Sequence, residues 1–575
     1  SGNGGWWAGV RVDDSVLVNG DPADFDVLFD SPTNGSQSDG GNGGEISGNY
    51  CTFNPVDSNQ THSNGNLFVT CAGGTSPRAG TGTIAVSSGK YYYEATVSGE
   101  SVAKGIIGFV EAAYDGNGST IPNGSSNGVF YFGEAGNKII DNSSTSYGAS
   151  YGNGDVIGVA LNLDDDEITF YKNGTSQGTI TTKTFTGAYK LAVGRGSSSG
   201  STSYTLNTGQ RAFAYAAPSG FKTLNTASLP TPTIADGRDN FDTDAYAGTG
   251  SAHERSNFSF QPDFVWIKER DGTQWHYLID SVRGNTKALF SNRNRDEFTT
   301  TNQVLTSFDN DGFSLGTDTA VNASSKNYIA WCWKAASSTA SNTDGSITSS
   351  VRANPTAGLS IGNHTRKGSA ATVGQGLNAA PEMIILKGRN FSDDWRVYHK
   401  FLDATEPEDY YMILQNTTVR SADQNASFMN DTAPTSTVFS LGTDSAINGS
   451  SQSMLAYCFS SVDSYQAIGS YVGTGNDDGP FVHCGFRPAF VFLRDKDTVR
   501  DWRIYDNKRP AYNPVDKVLI PNGGNIEDTT SHPLEFLSNG FKVRGTLGGV
   551  NDDGDTMIYL AIAESPFQAN GGLAR

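Results

Sequence analysis

From about residue 236 the chain repeats itself, and that repetition limits its fold more than any single motif does. A proline leads into an apolar run three times: Pro262 in QPDFVWIK, Pro381 in APEMIILK and Pro488 in RPAFVFLR. A tryptophan follows 13 or 14 residues later, Trp275 in QWHYLID, Trp395 in DWRVYHK and Trp502 in DWRIYDN. FSLGTD stands at Phe313 and again at Phe439, with the weaker NGFKVRGT around Phe541. Each copy closes on an apolar strand: YIAWCW ending at Trp333, MLAYCF at Phe459 and YLAIAE at Glu564. The prolines lie 119 and then 107 residues apart. That spacing predicts three tandem β-domains rather than the short coils of a solenoid.

The closing strands carry the packing logic. In the first, Tyr328, Ala330 and Cys332 share one face while Ile329, Trp331 and Trp333 share the other. Two apolar faces mean a central strand covered on both sides. Ala456 and Cys458, then Ala561 and Ala563, take the small face in the later copies. Cys332 and Cys458 therefore read as small core residues.

Upstream, strand signals dominate as well. KYYYEATV alternates Tyr91, Tyr93, Ala95 and Val97 against Tyr92, Glu94 and Thr96, the period of a half-buried strand. IIGFV, VFYFG and DVIGVALNL follow, and EITFYKNGTSQGTI places Asn173-Gly174 at a hairpin tip. The expected organisation is a lead-in over 1–45, the end of a preceding β domain, then a β-sandwich over 46–217 and a linker over 218–235. Repeats follow at 236–336, at 337–462 (opening with the Ser/Thr-rich linker KAASSTASNTDGSITSS at 334–350) and at 463–575. The opening GWWAGVRVDDSVLVNG reads as strand, turn, strand, so the chain looks like the C-terminal part of something longer.

Composition narrows the function classes. Sixty acidic against forty basic residues leave a net charge of −20, which argues against a nucleic-acid groove or an anionic membrane surface as partner. No apolar run reaches the ~18 residues of a membrane span. Five cysteines leave at least one free thiol and match no zinc spacing, with a Cys51–Cys71 pair left open.

Several motifs tempt a catalytic reading. GTSQG (174–178) fits a nucleophile elbow but sits on a hairpin with no helix after it. Acidic clusters recur at Asp164-Asp165-Asp166, at Asp309 with Asp311, at Asp477-Asp478 and at Asp552, Asp553 and Asp555. SFDNDGF aligns with FLSNGF, where no aspartate remains, so a turn tolerating positive φ is the reading, with calcium at one acidic loop left open. No strand carries the alternating acids of a glycosidase, and Glu94 stands alone in its run. His62, His253, His276, His364, His399, His483 and His532 show no metal spacing; Asp506 stands where alignment expects His399. The recurrence of Trp275, Trp395 and Trp502 argues for a core role over a sugar-stacking one. Catalytic, cofactor-binding and metal residues are accordingly expected to be none.

Segment 88–211 resembles a SPRY-type domain, a concanavalin-like β-sandwich, through SSGKYYYEATV, GIIGFV, GDVIGVALNLDDDEITFYKNG and LAVGRGSS. That resemblance implies a binding module without catalytic residues. LNTGQRAFAYAAPSGFKTLNTASLP (206–230), the module IGSYVGTGNDDGPFVHCGFRPAFVFLRD with DWRIYDNKRPAYNPVD (468–516), and FDVLFDSPTNG with GNYCTFNP (25–55) are similar to tail-fibre proteins of marine and cyanobacterial phages. The likeness implies a virion appendage on the particle surface, a homotrimer, and host attachment. An all-β, non-enzymatic adhesin is the expectation, with multivalent loop contacts to a host glycan or outer-membrane receptor and to other virion proteins. No cofactor, nucleic acid or membrane insertion is expected. A capsid-decoration or spacer protein is the first alternative, and a polysaccharide depolymerase the second.

Overall fold

A computed structural model describes residues 11–12, 15–16, 49–56, 60–72, 79–99, 105–114, 128–195, 200–301, 303–423, 426–449, 451–510, 512–529 and 533–567. The lead-in sequence FDVLFDSPTNG (25–35) lies outside these residues. Within the opening, Arg11–Val12 pairs antiparallel with Ser15–Val16. The chain forms two compact bodies that divide between Thr231 and Pro232.

The first body is a sandwich of two antiparallel sheets. One orders Ser143–Ser146, Asn137–Ile140, Gly128–Phe132, Gly105–Glu111, Tyr189–Arg195 and Gly80–Val86. The other runs from Thr175–Ile180 through Glu167–Lys172, Val156–Asn162, Lys90–Ser98, Ser201–Asn207 and Phe68–Ala72 to Thr61–Ser63. Tyrosines tie the sheets together, since buried phenols need partners. Tyr93 donates to the Gly108 carbonyl and Tyr204 to that of Gly194. Asn173 and Gly174 both take positive φ, +48° and +78°, which suits a tight hairpin turn.

Two expectations change here. Strand Lys90–Ser98 is buried on both faces, not one. Glu94 accepts hydrogen bonds from the Ala214 and Tyr215 amides, and Phe213 packs edge-on against Tyr92 at 4.9 Å. The expected linker 218–235 also begins inside this body: Lys222–Thr223 pairs parallel with Lys90–Ser98, and Leu224 is fully buried.

The second body holds three large sheets, each backed by a smaller sheet. The central strands Asn327–Trp333, Ser453–Phe459 and Thr556–Pro566 pair with Phe264–Glu269, Met383–Gly388 and Phe486–Asp495. Pro488 sits at a bulge of the last of these, where the missing amide costs no ladder bond. On the first central strand Tyr328, Ala330 and Cys332 face a local core, with Phe313 and Leu315 of the small sheet. Ile329, Trp331 and Trp333 face the other way, into a core shared by all three sheets. Met454, Ala456 and Cys458 against Leu455, Tyr457 and Phe459 divide in the same manner.

The three sequence units are therefore not beads on linkers. Their inner faces meet in one continuous core, around a small cavity lined by Phe264, Trp333, Tyr457, Phe459, Phe490 and Leu560. No unit could bury that inner face alone. The segment expected as a Ser/Thr-rich linker supplies two strands of the second sheet, Ala340–Asn342 and Ser349–Asn354. Ser349 and Val351 alternate inward there, and the Ser349 hydroxyl donates to Gly374.

Pairing register fixes which residues correspond. Phe264, Met383 and Phe490 oppose Asp280, His399 and Asp506, and they oppose Trp333, Phe459 and Ile562 on the other side. The sequence alignment had placed Glu564 opposite Trp333, two residues further on. A two-residue offset leaves every side chain on its expected face, so Ala561 still stands where Cys332 and Cys458 do.

Contacts between units close in a ring. The Glu297 amide donates to Arg389 O (2.7 Å), Arg420 to Lys496 O (3.1 Å) and Glu527 to Arg270 O (2.7 Å). Glu297 pairs with the Arg389 side chain at 2.8 Å and Glu527 with Arg270 at 2.9 Å. At the third junction both positions are basic, Arg420 and Lys496, and Asp403 and Asp497 supply the balancing charge.

Candidate functional site

The repeated tryptophans divide into two kinds. Trp395 and Trp502 are buried, and their indole N–H groups donate across a junction, to Phe290 O (3.0 Å) and to Ile413 O (3.1 Å). By register the corresponding residue of the first unit is His276, not Trp275. Its ring sits in the same place, with Nε2 against Ile520 O at 3.1 Å and Nδ1 accepting from Trp266 at 3.0 Å. Burial holds the His276 imidazole well below its usual range.

The one-residue offset turns Trp275 to the outer side. There it packs edge-on against Phe290, with ring centres 5.0 Å apart. The Arg293 guanidinium lies 4.6 Å from its ring centre. Arg295 lies among three rings, 5.9 Å from Trp275, 5.6 Å from Phe290 and 5.3 Å from Phe298. Phe298 is 41% exposed. Neither guanidinium has a hydrogen-bond or ion-pair partner among the described residues. In the second unit the matching positions are Asp394, Asn416 and Thr418, and in the third Asp501, Gly523 and Asn525. Asp394 accepts from Gln415, and Asp501 accepts from Asn522 at 2.7 Å. The expected core role thus holds for Trp395 and Trp502 in the geometry, while Trp275 belongs to a half-exposed aromatic and cationic patch.

The other sequence candidates are drawn into structural bonds. Ser176 of GTSQG lies exposed on strand Thr175–Ile180 and accepts from the Gly178 amide. Cys51 and Cys71 are free thiols; Thr83 donates to the first, and the second points at Val193 O. Burial raises the Cys332 and Cys458 thiols far above their usual range. Asp309 accepts from the Ser314 hydroxyl at 2.7 Å. Asp309 and Asp311 do not have positive φ; Gly312 (φ +157°) carries that turn, and a Cβ there would strike Arg255 O. Asp166, by contrast, does take φ +56°. Asp478 pairs with Arg544 and Lys542.

Asp552 and Asp555 converge with buried Asp495, their oxygens all within 4.8 Å of one another. Arg500 grips Asp552 through both oxygens (2.9 and 2.7 Å), and the single Thr498 hydroxyl lies between Asp495 and Asp555, within hydrogen-bond reach of both. Desolvation raises the Asp495 carboxyl. Protein donors therefore take up oxygens that a cation would need.

Sequence reading missed three asparagines. Asn322, Asn448 and Asn551 each donate to the carbonyl six residues earlier, at Gly316 (2.7 Å), Gly442 (2.7 Å) and Gly545 (2.8 Å). Asp318 and Asp444 of FSLGTD cap the single-turn helices Thr319–Asn322 and Ser445–Asn448. The third unit keeps the asparagine and loses the cap.

The geometry defines an all-β protein that joins a two-sheet sandwich to a three-unit β body whose first unit carries an outward aromatic and cationic patch. The family described as Domain of unknown function (DUF7483) matches residues 236–566, more than half of the chain, and the chain belongs to that family. The SPRY domain matches residues 90–212. Among curated proteins the chain is similar to the probable ATP-dependent RNA helicase ddx1 of Dictyostelium discoideum, 36% identical over 92 residues, and to ATP-dependent RNA helicase Ddx1 of Drosophila melanogaster, 33% over 90. Each match takes in 16% of this chain and 11% of the relative's length. Similar solved structures include the SPRY domain of human HERC1 (19% identity, 27% of this chain, 91% of that chain, TM-score 0.22). The TRIM65 PSpry domain is another (17%, 28% and 89%, TM-score 0.23).

Proposed function

We propose that the chain is a non-enzymatic virion appendage protein, of the phage tail-fibre kind, that attaches the particle to the host surface through glycan contacts. The observation that carries this reading is the difference between units. A buried ring set against a neighbouring unit's carbonyl recurs at each junction, at His276, Trp395 and Trp502, whereas the outward Trp275, Arg293 and Arg295 of the first unit give way to Asp394, Asn416 and Thr418 and to Asp501, Gly523 and Asn525. A backbone framework that recurs while its surface varies suits recognition, because contact residues on a rigid support can change without cost to the fold. The SPRY sandwich adds a second module of a binding class. Copies on a particle multiply weak contacts into avidity.

The test mixes the purified chain with host-surface polysaccharide and follows molar mass by light scattering after size separation. A heavier co-eluting complex with intact glycan is expected. Shortened glycan would overturn the reading in favour of a depolymerase, and glycan eluting alone would overturn it in favour of a spacer or decoration protein.

A further inference from the structure

We propose that the patch formed by Trp275, Arg293, Arg295 and Phe298 binds an anionic saccharide, its acidic group held by the two guanidiniums and its ring set against the exposed Phe298 face. This deepens the attachment reading and rests on it. Three features of the patch point to that ligand class.

The arginines are held ready and uncommitted. The Arg293 guanidinium lies over Trp275 and that of Arg295 over Trp275, Phe290 and Phe298, at 4.6 to 5.9 Å from the ring centres, while no carboxylate of the described residues pairs with either. Of the neighbouring acids, Glu297 pairs with Arg389 and Asp318 caps Ala320, and Asp296 forms no ion pair with Arg295. A preorganised guanidinium fork matches a carboxylate or sulfate oxygen pair.

The first unit departs from both others at all three positions. Where the other units place Asp394 and Asp501, bonded to their own Gln415 and Asn522, the first unit places an aromatic ring. Asn292 still accepts from the His276 amide at 3.4 Å, as Gln415 and Asn522 accept from Trp395 and Trp502, so the scaffold bond survives the exchange. Nothing in the shared core requires an arginine at 293 or 295, since Asn416, Thr418, Gly523 and Asn525 fill those places elsewhere.

The surroundings select among anions. With a net charge of −20 the chain repels a dense polyanion, so two lone cations suit a ligand with spaced acidic groups on a neutral polar frame. The exposed phenyl face, with exposed Gln274 next to Trp275 and exposed Asn294 between the two arginines in sequence, complements what a pyranose presents, apolar C–H edges and hydroxyls.

The experiment titrates the full chain with an oligohyaluronate, whose carboxylates stand on every second sugar, its methyl ester and an oligosaccharide with one sulfate per disaccharide, by calorimetry, against the double variant Arg293→Asn, Arg295→Thr. Those replacements are the residues of the second unit, and an unchanged melting temperature checks the fold. Binding of the carboxylated or the sulfated probe is expected, with the two arms showing which acid the site takes. About ten-fold weaker binding is expected for the variant and for the methyl ester, with affinity falling as salt rises. Equal binding by the variant would overturn the site while leaving attachment standing. Absence of binding to every probe would overturn the ligand class, and co-elution with host polysaccharide would then judge attachment separately. Tighter binding to an oligoglutamate peptide than to any saccharide would overturn the saccharide assignment.

Discussion

His399 of the second unit donates from Nε2 to the carbonyl of Tyr559 in the third, at 3.2 Å, and accepts from the Phe401 amide at Nδ1. At the same place in the ring, Asp280 accepts from the Tyr457 hydroxyl (2.8 Å) and Asp506 from the Trp331 indole (3.0 Å). The facing residue explains the exchange. Trp331 and Tyr457 carry donors and meet a carboxylate, whereas their counterpart Leu560 carries none, and a histidine turns instead to the backbone. Arg283 and Arg509 complete the two carboxylate junctions at 2.6 Å, and Leu402 stands in their place beside His399.

The buried histidines, two of them at junctions, set a pH dependence. His364 and His399 are fully buried, and desolvation holds both down to about 4, with Arg366 adding to the first and Lys400 to the second against Glu382. Burial likewise holds His276 well below its usual range, with Lys268 and Arg509 acting in the same direction. Because the folded values lie below the unfolded 6.5, the unfolded chain takes up protons first as pH falls. Stability is therefore full above about 6.5 and declines by about 1.4 kcal/mol per pH unit per histidine toward pH 4. Urea midpoints at pH 7.5, 6 and 5 should fall in that order, less steeply in His399→Gln. A midpoint that holds or rises on acidification contradicts the assignment.

Removing one side of a junction should cost according to what is stranded. Tyr457→Phe deletes a hydroxyl and leaves Asp280 its arginine, a loss of about 1–2 kcal/mol. Asp280→Ala leaves buried Arg283 only the longer pair with Glu297, at 3.5 Å, and should cost about 3–5 kcal/mol. Equilibrium denaturation of both variants checks the order.

How much of this was legible beforehand follows from the parity of register. The alternation of YIAWCW showed both faces of a central strand, and the third closing strand, misplaced by two residues, still put alanine on the small face. Trp275, misplaced by one, went to the wrong side entirely. The sharing of a core could not be read, because an inner face that packs on a sister unit has the same apolar pattern as one covered within its own sandwich. The patch was hidden for a related reason: its arginines lie about twenty residues from Trp275 on the neighbouring strand turn, and only pairing brings them together.

The small-face cysteines should be chemically silent. Cys332 and Cys458 are buried, and burial raises both thiols. Native chain treated with iodoacetamide at pH 8 should leave both unmodified by mass spectrometry, and Cys332→Ala, which copies Ala561, should lose only about 1 kcal/mol. Rapid labelling in the native state would contradict this.

Glu94 should anchor the end of the sandwich. Its carboxylate receives the Ala214 and Tyr215 amides at 2.8 and 2.9 Å. Glu94→Ala strands two amides and should lower sandwich stability by about 1–3 kcal/mol, with faster proteolysis near residues 211–224 as the first sign. Unchanged protease resistance would contradict the anchoring role.

Closure of three units into one body is tested most directly by native-state hydrogen exchange on Phe490→Ala, a cavity placed in the third unit's share of the common core. Protection should fall together in Phe264–Glu269, Met383–Gly388 and Phe486–Asp495, because one core stabilises all three. Loss confined to Phe486–Asp495, with the other two strands unchanged, would mean that the units stand independently and that the ring is not the source of their stability.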